Sequence, residues 1–226
     1  MVNSNLFQLK IWSECESGPI LLYLSGEPMK ELTEGIYEKL KQFYENCEGF
    51  PFTFVEVIIP DWDRYLTPWK VGECLKNRDF QGEGRMLLQE LEQKLIPNLM
   101  EKYPNSCHIF IAGYSLAGLF SLWAMNESFM IDGAVSCSGS LWYPEWNGYA
   151  KQAFQSKKEK VFLSLGKKEP KTKHPIMKKV GENTLELYEK LTTEENVKHT
   201  EFVWREGGHF TEVEERMVQG IQWILG

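Results

Sequence analysis

Short apolar runs alternate along the chain with longer stretches in which apolar residues recur every three or four positions. The short runs are typical of strands buried on both faces of a sheet, and the longer period is typical of amphipathic helices. The runs that predict buried strands are 20–24, 52–59, 107–112, 133–138, 160–165 and 199–204. The stretch 6–12 alternates between apolar and polar residues, which favours a half-buried edge strand.

Helices are predicted between these strands, because apolar residues there share one helical face. The faces consist of Leu32, Ile36, Leu40, Phe43 and Tyr44; of Leu88, Leu91, Leu95 and Leu99; of Ile176, Val180, Leu187 and Leu191; and of Val213, Met217, Ile221 and Ile224. Pro97 is expected to kink the second helix, and Thr211 with Glu214 has the capping-box spacing at the start of the last.

This alternation of strands and helices predicts an α/β fold, in which helices cover both faces of one mostly parallel sheet. The length of 226 residues suits one domain, and neither a repeat nor a Pro/Ser-rich linker interrupts it. We therefore expect residues 1–226 to form a single domain without a separate lid domain. The long stretch 60–84 is expected to be an irregular loop rich in aromatic residues.

Composition and charge exclude several classes of protein. The chain is 42% hydrophobic and 25% charged, which argues against disorder, and its formal net charge of −7 argues against nucleic acid as a partner. No apolar run is long enough for a membrane span, and the first residues do not resemble a signal peptide. We expect a cytoplasmic monomer or homodimer that needs no cofactor.

The spacing of the cysteines and histidines indicates neither disulfide bonds nor a metal site. The five cysteines, Cys15, Cys47, Cys74, Cys107 and Cys137, are an odd number without paired spacing, so we interpret them as reduced thiols. The sequence contains neither a C-x-x-C nor an H-E-x-x-H pair, and we therefore expect no metal site.

The strongest chemical signal is the sequence GYSLAG at 113–118, which follows an apolar strand and opens an apolar helix. A strand, a tight turn with serine at its tip and a helix form the context of a nucleophile elbow. Gly113 and Ala117 are small, as the sharp turn requires, and the Leu116 N–H at the helix N-terminus could hold an oxyanion. The alternative is that Ser115 is an ordinary helix N-cap.

A serine nucleophile needs a base, and His209 is the best placed of the four histidines. His108 and His199 lie near the starts of strands, His174 lies in a charged segment, and His209 alone follows a strand end. Gly207 and Gly208 allow its loop unusual conformations. The alternative is a loop histidine without a catalytic role.

The acid that orients such a histidine should lie between serine and histidine in the chain. Glu169 follows the strand at 160–165 and is our candidate, and the alternative is a surface carboxylate among lysines. Glu206 and Glu145 are weaker candidates, and a dyad without an acid is also possible. The backbone N–H of Gly26, after the strand at 20–24, is the candidate second oxyanion donor.

Several motifs in a fixed order make the chain similar to the Putative esterase family of α/β-hydrolases, which includes enterobactin esterases and S-formylglutathione hydrolase relatives. They are LYLSG at 22–26, DRYLTP at 63–68, FQGEG at 80–84, ELEQKLIP at 90–97, GYSLAGLF at 113–120, SGSLW at 138–142 and GGH at 207–209. The resemblance implies an α/β-hydrolase fold with Ser115 as nucleophile and His209 as base. It also implies that Arg64 and Trp142 face the substrate pocket.

Three features of the sequence bear on how closely it follows the pattern of this family. Ala117 replaces the usual second glycine of the elbow, the N-terminal region is short, and some siderophore esterases of the family lack the usual acid, which leaves the role of Glu169 open. Arg64, judged from its neighbours alone, could instead be a surface cation paired with Asp61 or Asp63.

The sequence thus predicts a serine hydrolase that cleaves a small-molecule carboxylic ester through an acyl-enzyme. Two alternatives remain at this point. One is an acyltransferase, in which the acyl group passes to an acceptor other than water. The other is a catalytically inactive protein that only binds a ligand or partner.

Overall fold

The computed structural model describes residues 4–45, 50–72, 75 and 78–226. Within these residues, seven strands form one sheet. The strands are β1 (Gln8–Ser13), β2 (Ile20–Ser25), β3 (Thr53–Ile58), β4 (Ile109–Tyr114), β5 (Gly133–Cys137), β6 (Lys158–Gly166) and β7 (Val197–Arg205). Their spatial order is β1-β3-β2-β4-β5-β6-β7.

Only β1 runs antiparallel to its neighbour, β3, and the other strand pairs are parallel. The predicted parallel-dominated sheet with an N-terminal edge strand is therefore confirmed. Because the parallel strands share a direction, the loops after β2, β4, β6 and β7 leave the sheet at the same edge. All the residues proposed above for catalysis lie in or beside those loops.

The central strands are buried on both faces, as their continuous apolar sequences predict. Along β2, Ile20, Leu22 and Leu24 face one hydrophobic core, whereas Leu21 and Tyr23 face the other. This division follows from the alternation of side chains along a strand. Two helical layers are thus needed to keep β2 away from water.

Helices supply both layers. They are α1 (Lys30–Phe43), α2 (Trp62–Tyr65), α3 (Gly84–Glu90), α4 (Ile96–Lys102), α5 (Leu116–Glu127), α6 (Trp146–Gln152), α7 (Val180–Thr193) and α8 (Val213–Leu225). Helices α1 and α8 contribute to the core on one face of the sheet, and α3, α4, α5, α6 and α7 contribute to the core on the other. Short 3₁₀ turns occur at Glu27–Met29, Glu169–Lys171 and Met177–Lys179.

The helix around Pro97 differs from the expected kink in its last turns. A π-helical segment, Leu91–Leu95, separates α3 from α4, and Pro97 lies in the first turn of α4. Proline has no N–H to donate, and a wider turn before it relieves the clash of its ring with the preceding turn. Leu88, Leu91 and Leu95 are nevertheless buried, as the leucine spacing predicts.

Two local predictions are wrong. Glu212, not Thr211, occupies the N-cap position of α8, and the Thr211 hydroxyl accepts a hydrogen bond from the Gly208 N–H at 3.1 Å instead of capping the helix. Phe43, assigned to the buried face of α1, is 59% exposed because it lies in the last turn of the helix.

The described part of the stretch 60–84, residues 60–72, 75 and 78–84, has more regular structure than the expected irregular loop. It contains α2 and a single antiparallel β-bridge between Val71 and Phe80, and α3 begins at Gly84. Phe80 is completely buried and packs against Tyr143, with ring centroids 5.4 Å apart. The aromatic residues of this stretch therefore attach it to the loop that follows β5.

The structure bears on the predictions about cysteines, metal ligands and membrane spans for the described residues. Cys15, Cys107 and Cys137 are free thiols, whereas Cys47 and Cys74 lie outside the described residues. Among the residues that the structure describes, no group of three or more metal-ligating side chains is found. No helix within the described ranges combines the length and the apolar character that a membrane crossing requires. The cytoplasmic location and the oligomeric state stay predictions.

Candidate active site

Ser115 lies at the turn between β4 and α5. Its backbone dihedral angles, φ 57° and ψ −120°, are rare for a residue other than glycine. Ser115 occupies the N-cap position of α5, but its side chain makes no capping hydrogen bond. Its Oγ lies instead 3.1 Å from Nε2 of His209, so the geometry differs from that of an ordinary N-cap.

The sharpness of this turn explains its small residues. A Cβ atom on Gly113 would lie 2.6 Å from the Cβ of Ala117 and 2.5 Å from its carbonyl carbon. Alanine at 117 therefore fits only because residue 113 has no side chain. The absence of a side chain at Gly113 thus explains why alanine can replace the usual glycine at position 117.

His209 follows β7 in a loop that is fixed from several directions. Gly207 has φ 83°, a value that favours glycine, and a Cβ there would also lie 2.4 Å from Oγ1 of Thr211. The hydroxyl of Tyr114 donates a hydrogen bond of 2.6 Å to the carbonyl oxygen of His209. Tyr114 precedes Ser115 in the chain, so the strand that leads to Ser115 also helps to hold His209.

Glu169 is the third side chain in a hydrogen-bonded row that begins with Ser115 and His209. It lies in the 3₁₀ turn after β6, and its Oε2 is 2.8 Å from Nδ1 of His209. Its Oε1 accepts hydrogen bonds of 2.7 Å from the Ser138 hydroxyl and from the Gly166 N–H. The alternative of an exposed carboxylate does not fit, because the Glu169 side chain is only 6% exposed.

The weaker acid candidates lie elsewhere. Glu206 is exposed and pairs with Lys167, and Glu145 is exposed at the start of α6. His209 therefore has Glu169 as its carboxylate partner among the described residues. This arrangement favours the hydrogen-bonded tautomer in which Nδ1 carries the proton and Nε2 is free to accept one from Ser115.

Electrostatics keep Glu169 ionised. Burial alone would raise its pKa, but hydrogen bonds from His209 and Ser138 and the charge of His209 outweigh that effect and hold the pKa of Glu169 below its usual value. Burial also raises the pKa of the Tyr114 hydroxyl to about 12. Near neutral pH, Tyr114 therefore stays a hydrogen-bond donor to the His209 carbonyl.

Sequence reasoning missed Arg216, which lies beneath this row on α8 and is completely buried. Its Nη1 donates to Glu169 Oε1 at 3.3 Å, to Ser138 Oγ at 2.8 Å and to the Tyr114 hydroxyl at 3.1 Å. Its Nη2 donates to the carbonyl oxygens of Glu206 and Gly208, both at 3.1 Å. One guanidinium thus joins the acid to the loop that carries the histidine. In the sequence, the position of Arg216 within the amphipathic pattern of α8 was the one feature that could have pointed to this buried role.

Two serines near Ser115 were also missed as individual residues, although both lie in the SGSLW motif. Ser140 Oγ is 3.3 Å from Ser115 Oγ, and the Ser140 N–H donates a hydrogen bond of 3.0 Å to the Ser115 carbonyl. Ser138 links Glu169 to Arg216. Both side chains are buried.

The candidate oxyanion donors lie at the expected ends of elements. Leu116 begins α5, and Gly26 directly follows β2. No hydrogen bond from either backbone N–H to another of the described residues is found. The Trp62 indole packs against Gly26, because a Cβ at position 26 would lie 2.6 Å from Nε1 of Trp62.

The two residues expected to face the substrate differ in their surroundings. Trp142 is 6% exposed and lines a cavity together with Glu169 and His209. Arg64 does not line that cavity, and its Nε pairs with Glu83 Oε2 at 2.7 Å instead of with Asp61 or Asp63 through its side chain. The Arg64 backbone N–H does donate to Asp61, at 3.1 Å.

Solved structures with the same fold include several hydrolases. The siderophore hydrolase EstA from Aspergillus nidulans is 17% identical, with a TM-score of 0.73, and the match covers 96% of this chain and 89% of EstA. The IroE-like serine hydrolase from Shewanella oneidensis is 15% identical, with a TM-score of 0.76, and the match covers 99% of this chain and 78% of that one.

The enterobactin esterase FES from Shigella flexneri is 17% identical, with a TM-score of 0.67, and the match covers 97% of this chain but only 56% of FES. None of the curated proteins compared with the chain matches it. The model of the family described as Putative esterase matches residues 10–218, nearly the whole chain. The chain therefore belongs to the Putative esterase family and is a carboxylic ester hydrolase with the α/β-hydrolase fold.

Proposed function

We propose that the protein cleaves carboxylic esters through an acyl-enzyme on Ser115, with His209 as general base and Glu169 as the acid that orients it. The observation that carries this proposal is the continuous row from Ser115 Oγ to His209 Nε2 at 3.1 Å and from His209 Nδ1 to Glu169 Oε2 at 2.8 Å. Three side chains from three separate loops meet at hydrogen-bonding distance, which general-base activation of a serine requires.

In the first half of the reaction, Ser115 Oγ attacks the ester carbonyl carbon while Nε2 of His209 takes the hydroxyl proton. The backbone N–H groups of Leu116 and Gly26 then hold the negative oxygen of the tetrahedral intermediate. When the carbon–oxygen bond to the alcohol breaks, His209 returns its proton to the leaving oxygen. The negative charge of Glu169 stabilises the imidazolium while it exists.

In the second half, His209 takes a proton from water, and the resulting hydroxide attacks the acyl group on Ser115. The second tetrahedral intermediate collapses, the proton returns to Ser115 Oγ, and the free carboxylic acid leaves. Arg216 takes part in neither step directly. Its contacts support a role in holding Glu169 and the His209 loop in place.

We also propose that Trp142 and Arg64 contact the substrate. The position of Trp142 beside His209 supports its role. Arg64 would have to exchange its contact with Glu83 for one with the substrate, and its half-exposed side chain leaves it free to do so. The siderophore hydrolase and the enterobactin esterase among the similar structures make siderophore esters suitable first compounds for an assay.

The test is the variant Ser115→Ala. We expect para-nitrophenyl butyrate turnover to fall by at least about 10⁴-fold and labelling by a fluorophosphonate probe to disappear, while the thermal unfolding curve is retained. Ser140→Ala is the matched control, because Ser140 is the neighbouring hydroxyl and should keep the label on Ser115. Labelling of another residue in Ser115→Ala would overturn the assignment.

The same assay separates the alternatives. An acyltransferase would yield new ester in preference to acid when a competing alcohol is added, and an inactive protein would leave the well-folded wild type unlabelled. A panel of esters, including a trilactone siderophore, a formyl thioester and short para-nitrophenyl esters, would narrow the substrate.

A further inference from the structure

A small cavity lies directly beside His209. Its volume is about 210 Å³, and Trp142, Met177 and Val180 form its apolar walls. Glu169 and His209 also line it, as do Lys168 and Thr172, whose side chains end in polar groups. A substrate group that enters this cavity therefore lies against the proposed base and next to a lysine.

Four of the residues that line the cavity, Lys168, Glu169, Thr172 and Met177, belong to a strongly basic segment, residues 167–179, between β6 and α7. The segment contains six lysines and a single acidic residue, Glu169, although the whole chain has a formal net charge of −7. The lysines, all of them exposed, are Lys167, Lys168, Lys171, Lys173, Lys178 and Lys179. Glu169 cannot neutralise them, because its two oxygens already contact His209, Ser138 and Arg216.

Most of these lysines also form no ion pair with a carboxylate of the described residues. Among the described residues, Lys167 is the one member of the six that forms an ion pair, with Glu206. The hydrogen bond from Lys167, helped by the charges of Lys167, Lys168 and Lys171, lowers the pKa of Glu206. One exposed carboxylate is thus surrounded by several cations, and the basic segment keeps an excess of positive charge.

On the basis of the proposed function, we propose that the ester substrate carries an anionic group, a carboxylate or a phosphate, and that Lys168 binds this group at the mouth of the cavity. A compact ammonium group attracts such anions. A local positive field beside the nucleophile also raises the encounter rate with an anionic substrate, although the protein as a whole repels it. The remaining lysines of the basic segment supply that field.

Lys168 is suited to a direct test, because its backbone and its side chain have separate roles. The Lys168 N–H donates a hydrogen bond of 2.9 Å to the carbonyl oxygen of Gly207, in the loop that carries His209. Any substitution other than proline keeps this bond. Lys168→Glu therefore reverses the side-chain charge at the cavity without removing the support of the histidine loop.

The experiment compares two pairs of esters that differ in charge. One pair is para-nitrophenyl hydrogen adipate against para-nitrophenyl hexanoate, and the other is 4-carboxyphenyl butyrate against 4-carbamoylphenyl butyrate. In at least one pair we expect kcat/KM to be about tenfold higher for the anionic member at low ionic strength, and this preference to shrink as salt screens the lysines. Equal or higher kcat/KM for the neutral member of both pairs would overturn the inference.

Lys168→Glu should lower the anionic-to-neutral ratio of kcat/KM by about tenfold or more. The matched control is Lys198→Glu, which makes the same change of charge near the start of β7, at the opposite end of the sheet, and should keep the wild-type ratio. Equal effects of the two variants would contradict the role of Lys168.

Fluorophosphonate labelling of Ser115 separates this inference from the proposed function. Hydrolysis of the neutral esters with Ser115 labelled, but without a preference for charge, would contradict the inference alone. The absence of both labelling and hydrolysis would contradict the proposed function and the inference together.

Discussion

Ser115 has the backbone strain expected of a residue that must project its side chain from a tight turn. Its positive φ of 57° is unfavourable for serine, and such strain persists only where the surrounding structure imposes it. Here the Ser115 N–H is bonded to the Cys137 carbonyl and its own carbonyl accepts from Ser140. Nearby Ser138 also has a positive φ, 46°, so the strained residues lie together at the candidate nucleophile.

The contribution of Glu169 can be measured with Glu169→Gln. We expect kcat for para-nitrophenyl butyrate to fall by about 10²- to 10⁴-fold, because an amide cannot balance the charge of the imidazolium and can favour the wrong tautomer. Glu206→Gln is the matched control and should stay within about twofold of wild type, since the exposed Glu206 carboxylate pairs with exposed Lys167 and the substitution keeps the backbone carbonyl. Near-normal turnover by Glu169→Gln would favour a serine–histidine dyad.

Arg216 calls for two substitutions, because its removal affects both folding and activity. Arg216→Met leaves the buried Glu169 carboxylate without its cation, and we expect the free energy of unfolding to fall by about 3–5 kcal/mol in urea denaturation. Arg216→Lys keeps the charge but cannot donate to all five acceptors, so we expect a folded enzyme with lower kcat and little change in KM.

The pH profile distinguishes positioning from a general loss of stability. A displaced cation favours proton uptake by the Glu169–His209 pair, so the acid-side limb of kcat, where this pair takes up a proton, should move to higher pH in Arg216→Lys. Arg205→Lys is the control, because Arg205 contacts Gln219 and Glu212 instead of the acid. An unchanged profile in Arg216→Lys would argue against a role in positioning Glu169.

At the scale of elements, the C-terminal helix α8 both closes the core and carries Arg216. Its buried residues Met217, Ile221 and Ile224 pack against the sheet face opposite α5. Gly220 allows the helix to approach closely, because a Cβ there would lie 2.5 Å from Cγ1 of Val135 and 2.8 Å from Cδ1 of Phe162. The distance between α8 and the sheet therefore determines where the guanidinium lies.

Gly220→Ala tests this dependence. We expect overpacking to reduce the free energy of unfolding by about 1–3 kcal/mol, and the displaced helix to lower kcat as well. Glu215→Ala changes an exposed residue of the same helix and should alter stability by no more than about 0.5 kcal/mol. Wild-type stability and kcat in Gly220→Ala would show that α8 can move without consequence for the site.

At the scale of the whole molecule, the site exists because parallel strands end at one edge. Ser115 follows β4, Glu169 follows β6 and His209 follows β7, so residues 94 positions apart in the chain meet at 3.1 Å. Stability and chemistry are consequently linked. Since the native contacts of Glu169 lower its pKa, the folded state holds its carboxylate ionised more strongly than the unfolded chain does.

This linkage predicts a dependence of stability on pH. A lowered native pKa means that the contribution of Glu169 is complete above the ordinary value of 4.5 and is lost as pH falls through the native pKa. We expect the free energy of unfolding of wild type to fall more steeply below pH 4.5 than that of Glu169→Gln, as measured by urea denaturation at a series of pH values. Parallel curves for the two proteins would contradict the predicted linkage.

The sequence by itself determined the architecture and the chemistry-bearing loops. Short apolar runs predicted the buried strands, since a strand covered on both faces is apolar throughout. The elbow at Ser115 and the strand-end position of His209 followed from local spacing, because turn geometry depends on neighbouring residues. Glu169 was identified only as one of several carboxylates, since its burial depends on distant contacts.

Only the tertiary structure decided which groups meet. In the helix pattern Arg216 is an ordinary polar position, yet it donates a hydrogen bond to Glu169. The Thr211 hydroxyl matched a capping box, yet it accepts a hydrogen bond from the Gly208 N–H. The local sequence cannot distinguish these outcomes, because the competing partners come from other strands and loops. Local periodicity determines the elements, whereas the packing of those elements determines the partner of each polar side chain.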